Sequence, residues 1–294
     1  MGLAIVEVDV IRCLCRIEGK EYPAVGFGTY PFKGEVCAEA VKNAAEAGYR
    51  IIDTATSYGN FSSIAKGLEG KDRSQFYLNS KVWHDKLCPK DLHRDLEETL
   101  HQLKTSYLDA YFIHWPNRKI PIKDTLQAME EERKKKRIRH IGLSNVTVNH
   151  LRKALEVGVS VAWVQVEMHP YYYDPHFLDF CRKHSIVVQT WRPLNLGRIG
   201  QDVLLHEIGK KHGKTACQVA LKWIVQHGCI PIPGSKSKLH MQENIDIANF
   251  MLTEEEMKKL NERAAAGSRF RLNLEYGLGF ADEFDLTYEE CWPK

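Results

Sequence analysis

The sequence lacks the features that carry a chain into or across a membrane. No stretch of its 294 residues reaches the roughly 18 uninterrupted apolar residues of a spanning helix. The opening MGLAIVEVDVIR has no basic segment and meets Glu7 and Asp9 before any apolar run, so no signal peptide is expected. Val6 stands where an N-myristoylation motif requires Ser or Thr. A surplus of one charge is also missing: 41 basic against 38 acidic side chains leave +3, which gives no reason to expect nucleic acid or a membrane surface as partner. The cysteines, at positions 13, 15, 37, 88, 181, 217, 229 and 291, form no CxxC pair and no zinc spacing. They are expected to be reduced thiols, with the cytoplasm as the compartment. His93 and His101, like His206 and His212, are not spaced i,i+4, so no helical metal site is expected. Phosphate-binding glycine loops are absent too. GFGTYPF has Gly26 and Gly28 but Pro31 in the third glycine position, and GKKHGKT puts three residues between Gly209 and Gly213 where a P-loop needs four.

What the sequence does have is apolar material for a large core, 44% hydrophobic against 27% charged, arranged as short apolar runs alternating with longer amphipathic stretches. The runs are AVGFGT (24–29), YRIID (49–53), FYLNSKV (76–82), LDAYFIH (108–114), IRHIGLSN (138–145), VAWVQVE (161–167), IVVQTW (186–191) and CIPIP (229–233). Between them Leu92, Leu96, Leu100 and Leu103 recur at helical spacing behind Pro89, and Ile122, Leu126 and Met129, then Leu151, Ala154 and Leu155, repeat the pattern. Eight strands separated by helices suit a closed (β/α)8 barrel, the TIM barrel, better than an open doubly wound sheet. Residues 11–22, around Glu18-Gly19-Lys20, are expected to form a β-hairpin capping the barrel. The tail from Gly267, with Phe270, Tyr276, Phe280, Phe284 and Trp292 off helical spacing, is expected to be an extended packed segment. No linker interrupts the chain, so residues 1–294 are expected to be a single domain. EEERKKKR (130–137) is expected to be a solvated helix face with i,i+4 pairs.

Nearly every apolar run ends in a residue ill suited to a core: Asp53, Lys81, His114, Ser144 with Asn145, Gln165 with Glu167, Trp191, and Ser235 with Lys236. In a barrel these ends converge on the face that carries the active site. Solvent exposure alone explains any one of them, but Asp53, Lys81 and His114 continue directly from hydrophobic segments. With Tyr58, just after Asp53, they make a chemically sensible set. A phenol with its ordinary pKa of about 10 is a poor acid–base group near neutrality. Lys81 is expected to stabilise its phenolate, Asp53 to keep the ammonium charged and oriented, and His114 to hydrogen-bond a substrate oxygen. Such a set protonates the alkoxide formed when hydride reaches a carbonyl carbon.

From about Arg12 to Asn261 the chain resembles the aldo-keto reductase family. The resemblance rests on GFGTY (26–30), GYRIIDTATSYGN (48–60), SKVW (80–83), LDAYFIHWP (108–116), IGLSN (141–145), VQVEMHP (164–170) and IPGSKSKLHMQENI (232–245), in that order. It implies carbonyl reduction by Asp53, Tyr58, Lys81 and His114, with Tyr58 as general acid. His114, where enoyl-reducing relatives carry Glu, favours C=O over C=C reduction. It also implies NADP as cofactor, since no side chain delivers hydride. Gly28, Thr29 and Asp53 belong to the implied cofactor site; Ser144, Asn145 and Gln165 match the positions that hold the nicotinamide carboxamide, and Trp191 the ring stacked on it. Ser235, Lys236, Ser237, His240, Glu243 and Asn244 match the adenosine and 2′-phosphate region. Gly234 and His240 replace the Lys and Arg of many relatives, so Lys236 and Ser237 are expected to take the phosphate and favour NADPH over NADH. Tyr30, Trp83 and Trp115 are the implied pocket lining for a small carbonyl substrate. The expected form is a monomer. The other class in view is a cofactor-binding regulatory subunit of the same fold, against which the intact tetrad weighs.

Overall fold

The computed structural model describes residues 6–268. The sequence alternation becomes β1 (Val6–Asp9), β2 (Leu14–Ile17), β3 (Lys20–Pro23), β4 (Phe27–Gly28), α1 (Gly34–Glu46), β5 (Ile51–Asp53), α2 (Phe61–Gly67), β6 (Tyr77–Val82) and α3 (Pro89–Gln102). The chain continues as β7 (Leu108–Ile113), α4 (Ile122–Lys134), β8 (Ile138–Ser144), α5 (Val148–Glu156), β9 (Val161–Glu167), α6 (Pro175–Lys183) and β10 (Val187–Trp191). It closes with α7 (Val203–His212), α8 (Ala216–Gln226), β11 (Ile230–Pro231), α9 (Lys238–Ile245) and α10 (Glu254–Ala265). All eight expected strands are present, β4 through β11, and they follow one another in the sheet in chain order. The paired neighbours are parallel, as in β6–β7, β7–β8 and β10–β11, a pattern that requires a crossover after each strand. The N–H groups of Gly26 and Gly28 donate to the carbonyls of Pro231 and Pro233, joining the first strand to the last. Eight strands in chain order with helices between them are the pattern of the (β/α)8 barrel, the fold class of this chain.

The chain divides into two compact units. Among the described residues, one contains residues 6–29, Glu39–Ile52 and residues 167–268; the other contains Tyr30–Ala38 and Asp53–Val166. In the first, the expected hairpin is present, turning at Glu18 (φ 49°) and Gly19 (φ 82°), a pair of left-handed residues that suits a tight hairpin. It carries an additional strand: β1 pairs antiparallel with β2, making a three-stranded sheet. VEVD is too short and too charged to stand out among apolar runs. The GKKHGKT segment is a helix end and a turn. Gly213 closes α7 in the left-handed region at φ 65°, and Thr215 opens α8 with a capping box to Gln218. The tail expected to be an extended segment lies, from residue 269 on, outside the described residues.

In the second unit the interior of β6 and β7 is buried at every position, which is why their sequences read as continuous hydrophobic runs rather than alternating ones. Pro89 takes the first helical position of α3, where its missing N–H costs nothing. The end of α4 differs from the expected solvated face. Glu132 is fully buried and is met by His93 (2.6 Å), Lys135 (3.0 Å) and Arg137 (3.1 Å), and the helical pairs are spaced i,i+3, Glu130 with Arg133 and Glu132 with Lys135. A carboxylate leaves water only where cations replace it, and the basic run supplies them.

Candidate active site

Asp53 is the last residue of β5 and is 2% exposed. The chain then turns through a single 3-10 turn, Thr56–Tyr58, stopped by Gly59 at φ 61°. Asn60 holds this turn: its Oδ1 accepts from the Thr54 hydroxyl (2.7 Å) and its Nδ2 donates to the Phe32 carbonyl (3.1 Å). Lys81, inside β6, is fully buried, and its ammonium has three acceptors: Asp53 Oδ2 at 2.7 Å, the Thr54 carbonyl at 2.9 Å and the Tyr58 hydroxyl at 3.3 Å. Three donors thus meet three acceptors, the condition for keeping a buried ammonium charged. The remaining Asp53 oxygen accepts from Gln165 Nε2 at 2.7 Å. His114 follows β7. Its ring lies edge-on to Tyr58 at 5.6 Å between centroids and to Trp83 at 5.0 Å, and its buried Nδ1 has no hydrogen-bond partner among the described residues. The four side chains singled out in the sequence are therefore brought together in one unit.

Electrostatics follow from this burial. Desolvation pushes the Asp53 carboxyl up and the Lys81 ammonium down, each opposed by the charge of the other. The His114 imidazole is pushed well below its ordinary range, first by burial, then by the charge of Lys81 and by His84, so it is neutral at neutral pH. Tyr58 departs from the sequence expectation. Its phenol lies well above the ordinary value of about 10, first because it is desolvated and then because Asp53 and Tyr30 disfavour a second negative charge. The Lys81 ammonium, 3.3 Å from the hydroxyl, does not bring the phenol down, because burial and the charge of Asp53 outweigh it. Tyr58 is a protonated phenol, a proton donor at rest.

The other expected residues fall into both units. In the second, Ser144 and Asn145 end β8; Asn145 adopts φ 58° and its Nδ2 donates to the His114 carbonyl (2.9 Å) and to Ser144 Oγ (3.2 Å). Its N–H donates to the Gln165 carbonyl. One hydroxyl and two carboxamides, all buried and tied to Asp53 and His114, offer the donors and acceptors that match a nicotinamide carboxamide, so the residues present fit that group. Tyr30 is exposed, its ring 5.1 Å from that of Tyr58; Trp83 is half-buried and Trp115 buried. In the first unit, a Cβ on Gly28 would stand 2.7 Å from the Ile232 carbonyl oxygen, so only glycine fits there, and Thr29 beside it is buried. Trp191 ends β10, half-buried, with the Arg192 guanidinium 5.6 Å from its ring centre. Ser235 Oγ accepts from the Ser237 N–H (3.0 Å), and Ser237 caps α9 by accepting from the His240 N–H (3.3 Å). Lys236 and His240 are exposed, Glu243 is half-buried and Asn244 buried. Sequence reasoning missed Thr54, Thr56 and Asn60, which position the turn although they lie inside DTATSYGN, and Asp95, a charged residue at i+3 from Leu92 on the apolar face of α3.

Comparison with known proteins agrees with this architecture. The model of the Aldo/keto reductase family matches residues 24–265. The glyoxal reductase of Bacillus subtilis (strain 168) is 37% identical over 247 residues, covering 83% of this chain and 89% of that protein. Among solved structures, the aldose reductase from Schistosoma japonicum superposes with a TM-score of 0.82 at 28% identity, over 90% of this chain and 95% of that one. A Gox0644 variant in complex with NADPH gives a TM-score of 0.81 at 33% identity, over 86% of this chain and 93% of that one. The chain belongs to the aldo/keto reductase family and is an NADP-dependent oxidoreductase of that family. Among the described residues no helix is long and apolar enough to cross a membrane.

Proposed function

We propose that the protein reduces a small aldehyde or ketone to the alcohol with NADPH, using Tyr58 as general acid and Lys81, Asp53 and His114 as its supports. The observation that carries this reading is the chain of contacts Gln165–Asp53–Lys81–Tyr58, at 2.7, 2.7 and 3.3 Å, with its first three members buried and Tyr58 half-buried, beside a neutral His114. When bound, the reduced nicotinamide supplies the hydride; Ser144, Asn145 and Gln165 hold its carboxamide, and Trp191 the face of its ring. Lys236 and Ser237 would take the 2′-phosphate, with Ser235 and His240 in the same adenosine and phosphate region, Glu243 and Asn244 would meet the adenine, and Gly28 and Thr29 would complete the cofactor contacts. Tyr30, Trp83 and Trp115 line the carbonyl pocket.

His114 donates a hydrogen bond from its one N–H to the substrate oxygen and fixes its direction. With the cofactor supplying hydride to the carbonyl carbon, Tyr58 would pass its proton to the oxygen as it becomes an alkoxide. A phenol is ordinarily a stronger acid than an alcohol, so the alkoxide is the group that takes the Tyr58 proton. The phenolate left behind stands 3.3 Å from the Lys81 ammonium, which then stabilises it, while Asp53 keeps that ammonium charged and in place. Glyoxal, the substrate in the name of the Bacillus subtilis relative, is a member of the substrate class proposed. Seven free cysteines among the described residues are consistent with a reducing, cytoplasmic setting. The test is NADPH consumption at 340 nm by the purified protein with a panel of small aldehydes and ketones, glyoxal included. Cofactor binding without consumption across the panel overturns the enzyme reading and leaves the regulatory one.

A further inference from the structure

One buried carboxylate outside the tetrad touches the segments that carry three of its members. Asp95 lies on α3 with its side chain 1% exposed, on the same face as Leu92 and Leu96. Its Oδ2 accepts from the Thr56 hydroxyl (2.8 Å) and the Tyr111 hydroxyl (2.8 Å), and its Oδ1 from Lys86 Nζ (3.2 Å). Thr56 opens the 3-10 turn that ends at Tyr58. Tyr111 is on β7, whose end is followed by His114, and Lys86 ends the short turn that follows β6, the strand of Lys81, and Trp83. Thr56 Oγ1 also stands 3.0 Å from the backbone carbonyl of Lys81 itself.

A carboxylate on the apolar face of a helix costs several kcal/mol unless it is fully hydrogen-bonded, so its three donors are held to it strongly. Burial and Asp95 itself keep the Tyr111 phenol protonated, well above its ordinary range, and therefore a donor. The single proton of the Thr56 hydroxyl is shared between Asp95 Oδ2 at 2.8 Å, the shorter contact, and the Lys81 carbonyl at 3.0 Å, which sets where the turn sits along β6. That position decides how far the Tyr58 hydroxyl stands from the Lys81 ammonium.

We infer that Asp95, acting through Thr56, is a positioning residue that holds the Tyr58 turn in register with Lys81; this rests on the proposed role of Tyr58. It reaches no substrate or cofactor atom and acts only through the turn. A displacement of the donor by about 1 Å can cost up to about 100-fold in rate, so a loosened turn lowers kcat while leaving cofactor binding intact.

The experiment compares Thr56→Val, which keeps shape and removes the hydroxyl, with Thr56→Ser, which restores it, and with Asp95→Ala, each alone and in a Tyr58→Phe background. The expected results are a fall in kcat of about 10-fold for Thr56→Val and Asp95→Ala, recovery in Thr56→Ser, and NADPH Kd and carbonyl KM within about 2-fold of wild type. The solvent deuterium isotope effect on kcat should rise in Thr56→Val, as proton delivery becomes slower relative to other steps. In the Tyr58→Phe background the same changes should cost nothing further, since both act on one step. Thr56→Val with wild-type kcat and isotope effect, or an equal further loss on top of Tyr58→Phe, overturns the inference. If Tyr58→Phe alone stays active, the reading of Tyr58 fails instead, and the two failures are thereby distinguished. If Asp95→Ala does not fold, Thr56→Val and Thr56→Ser still decide the question.

Discussion

Replacing Tyr58 with Phe removes one oxygen and leaves the ring. The ring retains its neighbours, Tyr30 at 5.1 Å, His114 at 5.6 Å and the Lys81 ammonium at 5.0 Å from its centre. The hydroxyl contributes one contact, 3.3 Å to Lys81 Nζ, the longest of the three that ammonium makes. Losing it leaves Asp53 and the Thr54 carbonyl in place, so the cost to stability is about 1 kcal/mol, that of one ordinary hydrogen bond. The phenol is also desolvated in the folded protein, and removing a poorly hydrated polar group offsets part of that loss.

The cost to catalysis is of a different size. General acid catalysis contributes about 100- to 10,000-fold, or roughly 3–5 kcal/mol of barrier. The variant should therefore unfold within a few degrees of wild type, bind NADPH with nearly unchanged Kd by fluorescence titration, and show kcat at 340 nm reduced by about 100-fold or more. A packing role would give the reverse, a lower Tm with turnover retained. If Tyr58→Phe keeps more than about a tenth of wild-type kcat, Tyr58 is not the acid, and His114 becomes the next candidate.

Lys81→Met leaves the Asp53 carboxylate, 2% exposed, without its cation. Breaking a buried pair from one side costs about 3–5 kcal/mol, so urea denaturation should show a clear loss of stability along with a kcat as low as that of Tyr58→Phe; an unchanged midpoint refutes the ion pair. The depressed pKa of His114 makes stability depend on pH. The unfolded chain binds its proton near 6.5 and the folded one only well below that, so this contribution is complete above pH 6.5 and is lost as pH falls through and below it. His114→Gln should flatten the acid limb of a stability-against-pH curve by up to about 1.4 kcal/mol per pH unit, and an unaltered limb argues against a neutral buried imidazole. Lys236→Ala should raise the KM for NADPH well above that for NADH, because the 2′-phosphate needs a cation or donor to meet its charge; equal increases in steady-state assays would direct attention to His240.

The barrel was legible because its strands are buried on both faces and so read as unbroken apolar runs. Glycine, proline and short polar segments separate them, as in AVGFGT and CIPIP, even where the observed strand is only two residues long. What was not legible is where tertiary contacts override local pattern. The first strand, VEVD, gains its partner only because the hairpin beside it offers an edge. Glu132 sits in a run of charges, and its burial depends on Lys135 and Arg137 folding back onto it and on His93 approaching from α3. Asp95 had a visible signal, a charged residue on an apolar stripe, but its donors come from positions 56, 86 and 111, and no spacing rule joins them.

That the four proposed catalytic side chains lie together was legible for a reason that bears on what sequence can deliver about chemistry. Residue types at strand ends specify which charges meet, so Asp53, Lys81, Tyr58 and His114 could be grouped before any distance was known. The sign of a pKa shift depends on which charge is closer and how much water each retains, and these are distances. Although the Lys81 ammonium stands 3.3 Å from the Tyr58 hydroxyl, desolvation is the largest influence on the phenol and the charge of Asp53 adds to it, so the shift is upward. The consequence is mechanistic. A lysine without its aspartate would favour a phenolate and a base for alcohol oxidation; with Asp53 beside it, the phenol keeps its proton until an alkoxide draws it off. Asp53→Asn removes the opposing charge but keeps the shape, and should lower the Tyr58 pKa, seen as an alkaline limb of the kcat profile for reduction that moves to lower pH than in wild type. A limb that stays in place, or moves up, would mean that Asp53 only orients Lys81 and does not set the acidity of the phenol.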